Sequence, residues 1–313
     1  MAFEVCSFTP AHRAPWDDLV DASRNGTFLH RRDFMEYHAD RFMDASVLVH
    51  DEKGQCVAVM PANRVQDRVV SHGGLTYGGL IYSPRLKQTA CLEVLRSILE
   101  HYRQQGVTHL TYKAIPTIFH RSPGQEDLYA VWRLGGQLTR RDVSTVVDLR
   151  APYRFSKGRT WTVNKARKAG IEVRRQQDPA PFHALLQGVL AQHGAAPVHS
   201  VAELTYLMGL FPQQIQLYEA TLDEQLMAAA LVFDVGTTVH TQYLANSDAG
   251  RELGALDVLL ADLMKHTFAD KHYFSFGVST EAGGTVLNEG LIAQKEGFGG
   301  ASVCHDFYEL TIS

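Results

Sequence analysis

The stretch Thr238–Thr280, TVHTQYLANSDAGRELGALDVLLADLMKHTFADKHYFSFGVST, decides how the chain is read. TVHTQYLANS has the pattern of a strand, and the loop SDAGRELGAL follows it. A helix with Leu256, Leu259, Leu260 and Leu263 on one face then runs to about Phe268, and HYFSFGVST is a second strand. The first-turn N–H groups of a helix have no intrahelical partner, and the helix dipole favours an anion beside them. A strand that feeds a glycine-containing turn into a helix is therefore a place to hold a phosphate.

Working outward, the residues before this stretch form a hairpin, IQLYEAT and LMAAALVF about the turn LDEQ. The first half of the chain has the same order. ASVLVH and QCVAVMPANRV flank the charged turn DEKG, a helix with Leu92, Leu95, Ile98 and Leu99 follows, and THLTYKAIP is the strand after it. Hairpin, helix and strand recur at similar intervals, which predicts two copies of one α/β unit. Ahead of the first copy lie a strand at Phe3–Phe8 and helical pieces around Pro15–Ser23 and Arg31–Phe42. The glycines of SHGGLTYGGLIYSP, Ser71–Pro84, read as turns or bulges. The expected fold class is α/β with two tandem units, each a mixed, mostly antiparallel sheet flanked by helices. The expected division is 1–150 for the first unit, 151–178 for a connecting segment and 179–313 for the second.

At 313 residues the chain can bury a substantial core. Its composition is ordinary for a soluble globular protein, no run reaches the length of a membrane span, and MAFEVCSFTP does not have the pattern of a secretory leader, so a cytoplasmic location is expected. Cys6, Cys56, Cys91 and Cys304 are far apart and form no CxxC pair, so they read as small core residues. The 15 histidines show no metal-ligand spacing, and no metal is expected.

The formal charge of −4 is unevenly spread. Tyr153–Arg175, YRFSKGRTWTVNKARKAGIEVRR, holds eight Lys/Arg and one acid, a local charge of +7. Such a run is either a solvated helix face or a site for a phosphorylated acceptor or a nucleic-acid backbone, and both readings stay open here.

Two α/β units with NKARKAGIEV between them, and the ending FGVSTEAGGTVLNEGLIAQKEGFGG, resemble the FemAB-like branch of the GNAT superfamily. The ending is similar to that of GNAT-type N-acyltransferases found with surface-polysaccharide biosynthesis enzymes. The resemblance implies two GNAT folds and acyl transfer, from a thioester or an aminoacyl ester, to an amine. The GNAT phosphate turn has Arg or Gln, two residues, Gly, one residue, then Gly or Ala. Arg251 and Gly254 fit it, whereas Leu256 departs from it. Arg251, Gly254 and Ala255 are the residues expected to hold the donor, with acyl-CoA as the co-substrate. SPRLKQTA, at the corresponding place in the first half, has no glycine, so the donor is expected in the second unit.

Acyl transfer to an amine needs a base, fixed N–H groups for the developing oxyanion, and an acid for the leaving group. His240, on the strand entering the turn, is the first choice of base, against the alternative of a hydrogen-bonded histidine on a sheet face. Glu281 lies just beyond FSFGVST, where strand-end loops line α/β sites, and is the second choice. Tyr243 is the candidate acid, or core packing. Asn288, Glu289 and Lys295 are candidates for substrate binding, with Asn288 also expected to start a short helix that Gly297 ends. Ser200 and Glu203 read as a capping box, preceded by His199. Lys113 and His120 flank the strand end at Pro116 in the first half, where they are expected to meet the acceptor. Lys165 and Arg167 are the basic contacts for a phosphorylated acceptor or for tRNA. The expectation is an N-acyltransferase that moves an acetyl or other small acyl group from acyl-CoA to an amino group, on a nucleotide-linked amino sugar or a lipid-linked acceptor. The alternatives are an aminoacyltransferase using aminoacyl-tRNA and a binding protein that retains the fold without the chemistry.

Overall fold

The computed structural model describes residues 3–192 and 194–313. The first half contains β1 (Glu4–Ser7), α1 (Arg13–Ala22), α2 (Arg32–Met35), β2 (Met43–Asp44), β3 (Val47–His50), β4 (Cys56–Met60), β5 (Asn63–Val65), β6 (Arg68–Val70), β7 (Ile81–Tyr82), α3 (Gln88–Gln104), β8 (His109–Lys113), α4 (Glu126–Arg133) and β9 (Gln137–Asp148). The second contains α5 (Lys157–Lys168), β10 (Glu172–Gln176), α6 (Ala180–Ala191), α7 (Val201–Leu210), β11 (Ile215–Leu222), β12 (Gln225–Asp234), β13 (Thr238–Asn246), α8 (Asp248–Leu253), α9 (Ala255–Asp262), β14 (Tyr273–Val278), β15 (Thr280–Glu281), β16 (Val286–Leu287), α10 (Glu289–Glu296) and β17 (Ala301–Thr311).

The chain divides into two compact units. One is Met1–Asp142 with Glu281–Val286 and Cys304–Ser313, and the other is Val143–Thr280 with Leu287–Val303. The boundary expected at residue 150 thus falls at Asp142, within β9, and the last residues belong to the first unit rather than the second. A chain-order division could not show this, because Leu310 of β17 and Ile312 just after it enter a core built from residues far earlier in sequence.

In the first unit β1, β3, β4 and β7 form an antiparallel sheet. A second group runs β2, β5, β6, β8 and β17, antiparallel except for the parallel β6–β8 pair. The β3–β4 turn closes because Asp51 Oδ1 accepts from the N–H groups of Lys53 and Gln55, both at 2.9 Å, and Gly54 takes φ +73°. Cys91, Val94, Leu95, Ile98 and Tyr102 make the buried face of α3. Cys91 is the one cysteine in the core, since Cys6 and Cys56 are half-buried and Cys304 is exposed.

In the second unit β10–β13 form an antiparallel meander, β13 pairs parallel with β14, and β14 pairs antiparallel with β9. The β11–β12 hairpin turns on Asp223 and Glu224, both at positive φ, the signature of a two-residue type I′ loop. The 151–178 segment, expected to connect units, is folded inside this one. Ser156 caps α5 by accepting from the Arg159 N–H, Val163 and Ala166 enter the core, and β10 pairs with β11. Its charges sit on the outer face because α5 has only this narrow apolar stripe.

The helix expected to follow the loop and run to about Phe268 begins earlier, at Asp248, and is broken. Ser247 caps α8, accepting from Gly250 N–H at 2.9 Å, and α8 ends at Gly254 with φ +80°. Ala255 starts α9, which continues as a π-helical turn over Leu263–Thr267. Glycine is required at 254 on two counts: the left-handed conformation, and a Cβ there would stand 2.3 Å from Thr162 Cγ2 of α5.

Candidate active site

The site is built on a fault between two strands. Parallel pairing of β13 and β14 runs only from Thr238 to His240 against Tyr273 to Ser275, although β13 continues to Asn246 and β14 to Val278. Beyond His240 the facing backbone edges no longer serve each other, which opens a gap between the two strands.

A bulge in β13 adds to this. Thr241 lies opposite Val232 and Tyr243 opposite Leu231, so Gln242 is an extra residue. In an unbroken strand residues three apart face opposite sides. The insertion of Gln242 brings His240 and Tyr243 onto the same face, the face of Phe233 and Leu231. Two residues proposed for acid and base work are thereby aligned.

His240 is buried, with Nδ1 3.1 Å from Ser275 Oγ. Its ring packs on Gly277, where a Cβ would stand 3.3 Å from Cε1, and Gly277 itself sits at φ +73° in an irregularity of β14. Lys295 completes this group. It is 6% exposed on α10 and donates to the carbonyls of Gly277 and Val278 at 2.9 and 2.7 Å. Burial pulls its ammonium down to about 8. Asn288 caps α10, its Oδ1 accepting from the Leu291 N–H at 2.9 Å, and thereby fixes the helix that carries Lys295.

Tyr243 holds a second polar group. Its hydroxyl is 2.7 Å from His199 Nδ1, and His183 Nε2 lies 3.0 Å from the His199 carbonyl. Burial raises the Tyr243 hydroxyl above its ordinary range. His199 is oriented by the loop ahead of α7, where Ser200 and Glu203 form the expected capping box.

The RELGAL turn packs against α5. Gly254 and Ala255 are buried, Gly254 N–H donates to Gly250 O, and Thr162 of α5 lies against Gly254. Lys165 Nζ donates to Glu252 O at 2.6 Å, across the same turn. Arg251 is exposed and pairs with Asp248 at 3.0 Å within α8. Arg159 is bound to Asp257 in the first turn of α9, whose carboxyl is raised by burial despite that guanidinium. Thr162, Arg159 and Asp257 were not singled out from the sequence, because nothing in the spacing of α5 and α9 announces that they meet.

The remaining candidates lie apart from this group. Arg167 is exposed on α5, and Glu289 is exposed in the first turn of α10. Glu281 is exposed in the segment counted with the first unit. Lys113 is buried in the first unit, donates to the carbonyls of His72 and Leu75, and is pulled down to about 8 by burial and then by Arg140. His120 is buried nearby in sequence, with Nε2 3.0 Å from Ile115 O. Ser275 and Gly277 were also missed, and an isolated glycine inside FSFGVST is the signal that would have pointed to the bulge. Among the described residues no group of three or more His, Cys, Asp or Glu is arranged to hold a metal, and no helix is long and apolar enough to cross a membrane.

Residues 159–282 match a family model described as an acetyltransferase (GNAT) domain. No curated protein matches the chain. Among solved structures, FemX superposes with a TM-score of 0.69 at 12% identity, over 98% of this chain and 97% of that one. The C-terminal domain of a protein described as a lysylphosphatidylglycerol synthetase, from Agrobacterium fabrum, gives 0.61 at 14% identity, over 96% and 92%. A tandem GNAT protein from the clavulanic acid biosynthesis pathway gives 0.53 at 12% identity, over 100% and 99%. By fold the chain stands with FemX and the tandem GNAT protein, and residues 159–282 are similar to the GNAT acetyltransferase domain.

Proposed function

We propose that the chain is an N-acyltransferase that moves an aminoacyl group from its ester on tRNA to an amino group, at the gap between β13 and β14. The observation that carries the choice of donor is the position of α5. Thr162 and Lys165 cover the turn that would otherwise cradle the pyrophosphate of CoA, while the outer face of α5 offers Lys157, Arg167 and Lys168 to a polyanion. The Agrobacterium neighbour is named as a lysylphosphatidylglycerol synthetase, a name that itself specifies an aminoacyl product and so supports an aminoacyl group here.

In this reading the acceptor amine attacks the ester carbonyl, a C–N bond forms, and the C–O bond to the ribose breaks. His240 takes the amine proton. Backbone N–H groups at the Gln242 bulge meet the developing oxyanion, and the buried Lys295 ammonium adds a positive potential at the same gap. Tyr243, held by His199, returns a proton to the departing ribose oxygen.

The acyl-CoA reading keeps support from the acetyltransferase description of residues 159–282. It would place an acetyl or small acyl group on an amine such as that of a nucleotide-linked amino sugar, with Arg251, Gly254 and Ala255 at the donor, and it requires α5 to move off Gly254. The two readings separate in one assay. An RNA minihelix esterified with an amino acid, or acetyl-CoA, is incubated with the protein and a panel of amines, and amide product is followed by mass. Product from the minihelix alone is expected, and product from acetyl-CoA alone would overturn the aminoacyl reading.

A further inference from the structure

Trp161 is 65% exposed on α5, at a groove of about 600 Å3 between α5 and α10. A single exposed apolar side chain is ordinary. This one is set among cations. Lys165 Nζ stands 5.5 Å from its ring, and Lys157, Arg167 and Lys168 are exposed on the same helix. Opposite it, Gly290, Gln294 and Gly297 line the groove with backbone and one amide side chain. An aromatic face beside a basic track, over a shallow, open groove, is what an unpaired nucleobase and its phosphates require.

Resting on the aminoacyl-tRNA reading, we infer that this groove holds the unpaired 3′ strand of the donor RNA, with a nucleobase stacked on Trp161. Charge complementarity selects this occupant: the Tyr153–Arg175 segment carries +7 on a chain of −4. Helix α10 links the groove to the chemistry. Gln294 lines the groove, and the next residue, Lys295, binds the end of β14 at the gap. A strand laid against Trp161 therefore lies against the helix that borders the reacting centre.

The test measures binding of an acceptor-arm minihelix with a single-stranded 3′ end, and of the same duplex made blunt, by fluorescence anisotropy. Stacking on an aromatic side chain is worth enough that Trp161→Ala should weaken the single-stranded form by about 5- to 150-fold, and Trp161→Phe should restore most of it. The blunt duplex should bind equally to both forms, and Trp132→Ala, at an equally exposed tryptophan of the first unit, should change nothing. If the unaltered protein binds the minihelix and Trp161→Ala binds it as tightly, the groove assignment is wrong while the donor reading stands. If the unaltered protein binds CoA and no RNA, both are wrong.

Discussion

Gly254→Ala probes whether α5 sheathes the RELGAL turn. Two costs arise there. An alanine forced to φ +80° costs about 1–2 kcal/mol. Its Cβ would also stand 2.3 Å from Thr162 Cγ2 and 3.0 Å from the Thr162 carbonyl, and overpacking of this kind costs about 1–3 kcal/mol. The expected loss is about 2–5 kcal/mol, or roughly 5–15 °C in the melting of the second unit. The two costs can be parted. Thr162→Ser removes the offending methyl and keeps the hydroxyl that donates to Gly158 O at 3.0 Å. The double substitution should therefore recover most of the overpacking and leave the backbone cost of about 1–2 kcal/mol. Urea unfolding of the four proteins in the cycle measures this directly. A Gly254→Ala loss under about 0.5 kcal/mol, or no coupling to Thr162, would mean that the turn stands open, and the argument against a bound CoA pyrophosphate would fall with it.

Buried titratable groups and the α10 cap give three further expected outcomes. Lys113 and Lys295 both titrate near 8 when folded against 10.5 for the free side chain, so the unfolded state holds about one more proton at pH 8 and close to two more between pH 9 and 9.5. Stability from these two should rise with pH there by about 2.7 kcal/mol per unit, and Lys295→Met should halve that slope in urea titrations at several pH values. On the acid side His30 and His72 are pushed down to about 3 and His305 to about 4 by burial, whereas burial raises Asp127 to about 6. The histidines lose stability as pH falls below 6.5 and Asp127 regains some below 6, for a net two protons and about 2.7 kcal/mol lost per unit between pH 6 and 4. His305→Gln should reduce this slope by about half, and an unchanged slope would remove His305 from the account. Asn288→Ala should cost about 1 kcal/mol through the lost cap of α10, read as faster amide exchange in Glu289–Glu296.

Much of the chain could be read locally, and the reasons are local. The apolar stripe of α3 follows the helical period, the Asp51 and Asp223 turns carry their own side-chain and backbone signals, and the Ser200 and Asn288 caps are set within three residues. The α/β class and the presence of two units followed from such signals, since each repeats an order of elements that must bury an apolar face. His240, Tyr243 and Lys295 could be named as residues of suitable chemistry on or beside the strands.

Their arrangement depended on contacts that no sequence window contains. His240 and Tyr243 share a face only because Gln242 is extra, and the bulge exists relative to β12, a separate strand. The gap at which they stand depends on where β13 ceases to pair with β14, more than thirty residues later in the chain. Gly254 fits the phosphate-turn pattern by spacing, and that Thr162, on a helix read as a connector, lies against it is visible only in the fold. Sequence fixed which residues could form strands, helices and caps, because those are set by neighbours a few positions away. Tertiary structure alone decided which of them meet, because strand register and helix docking are settled by the burial of faces drawn from distant segments.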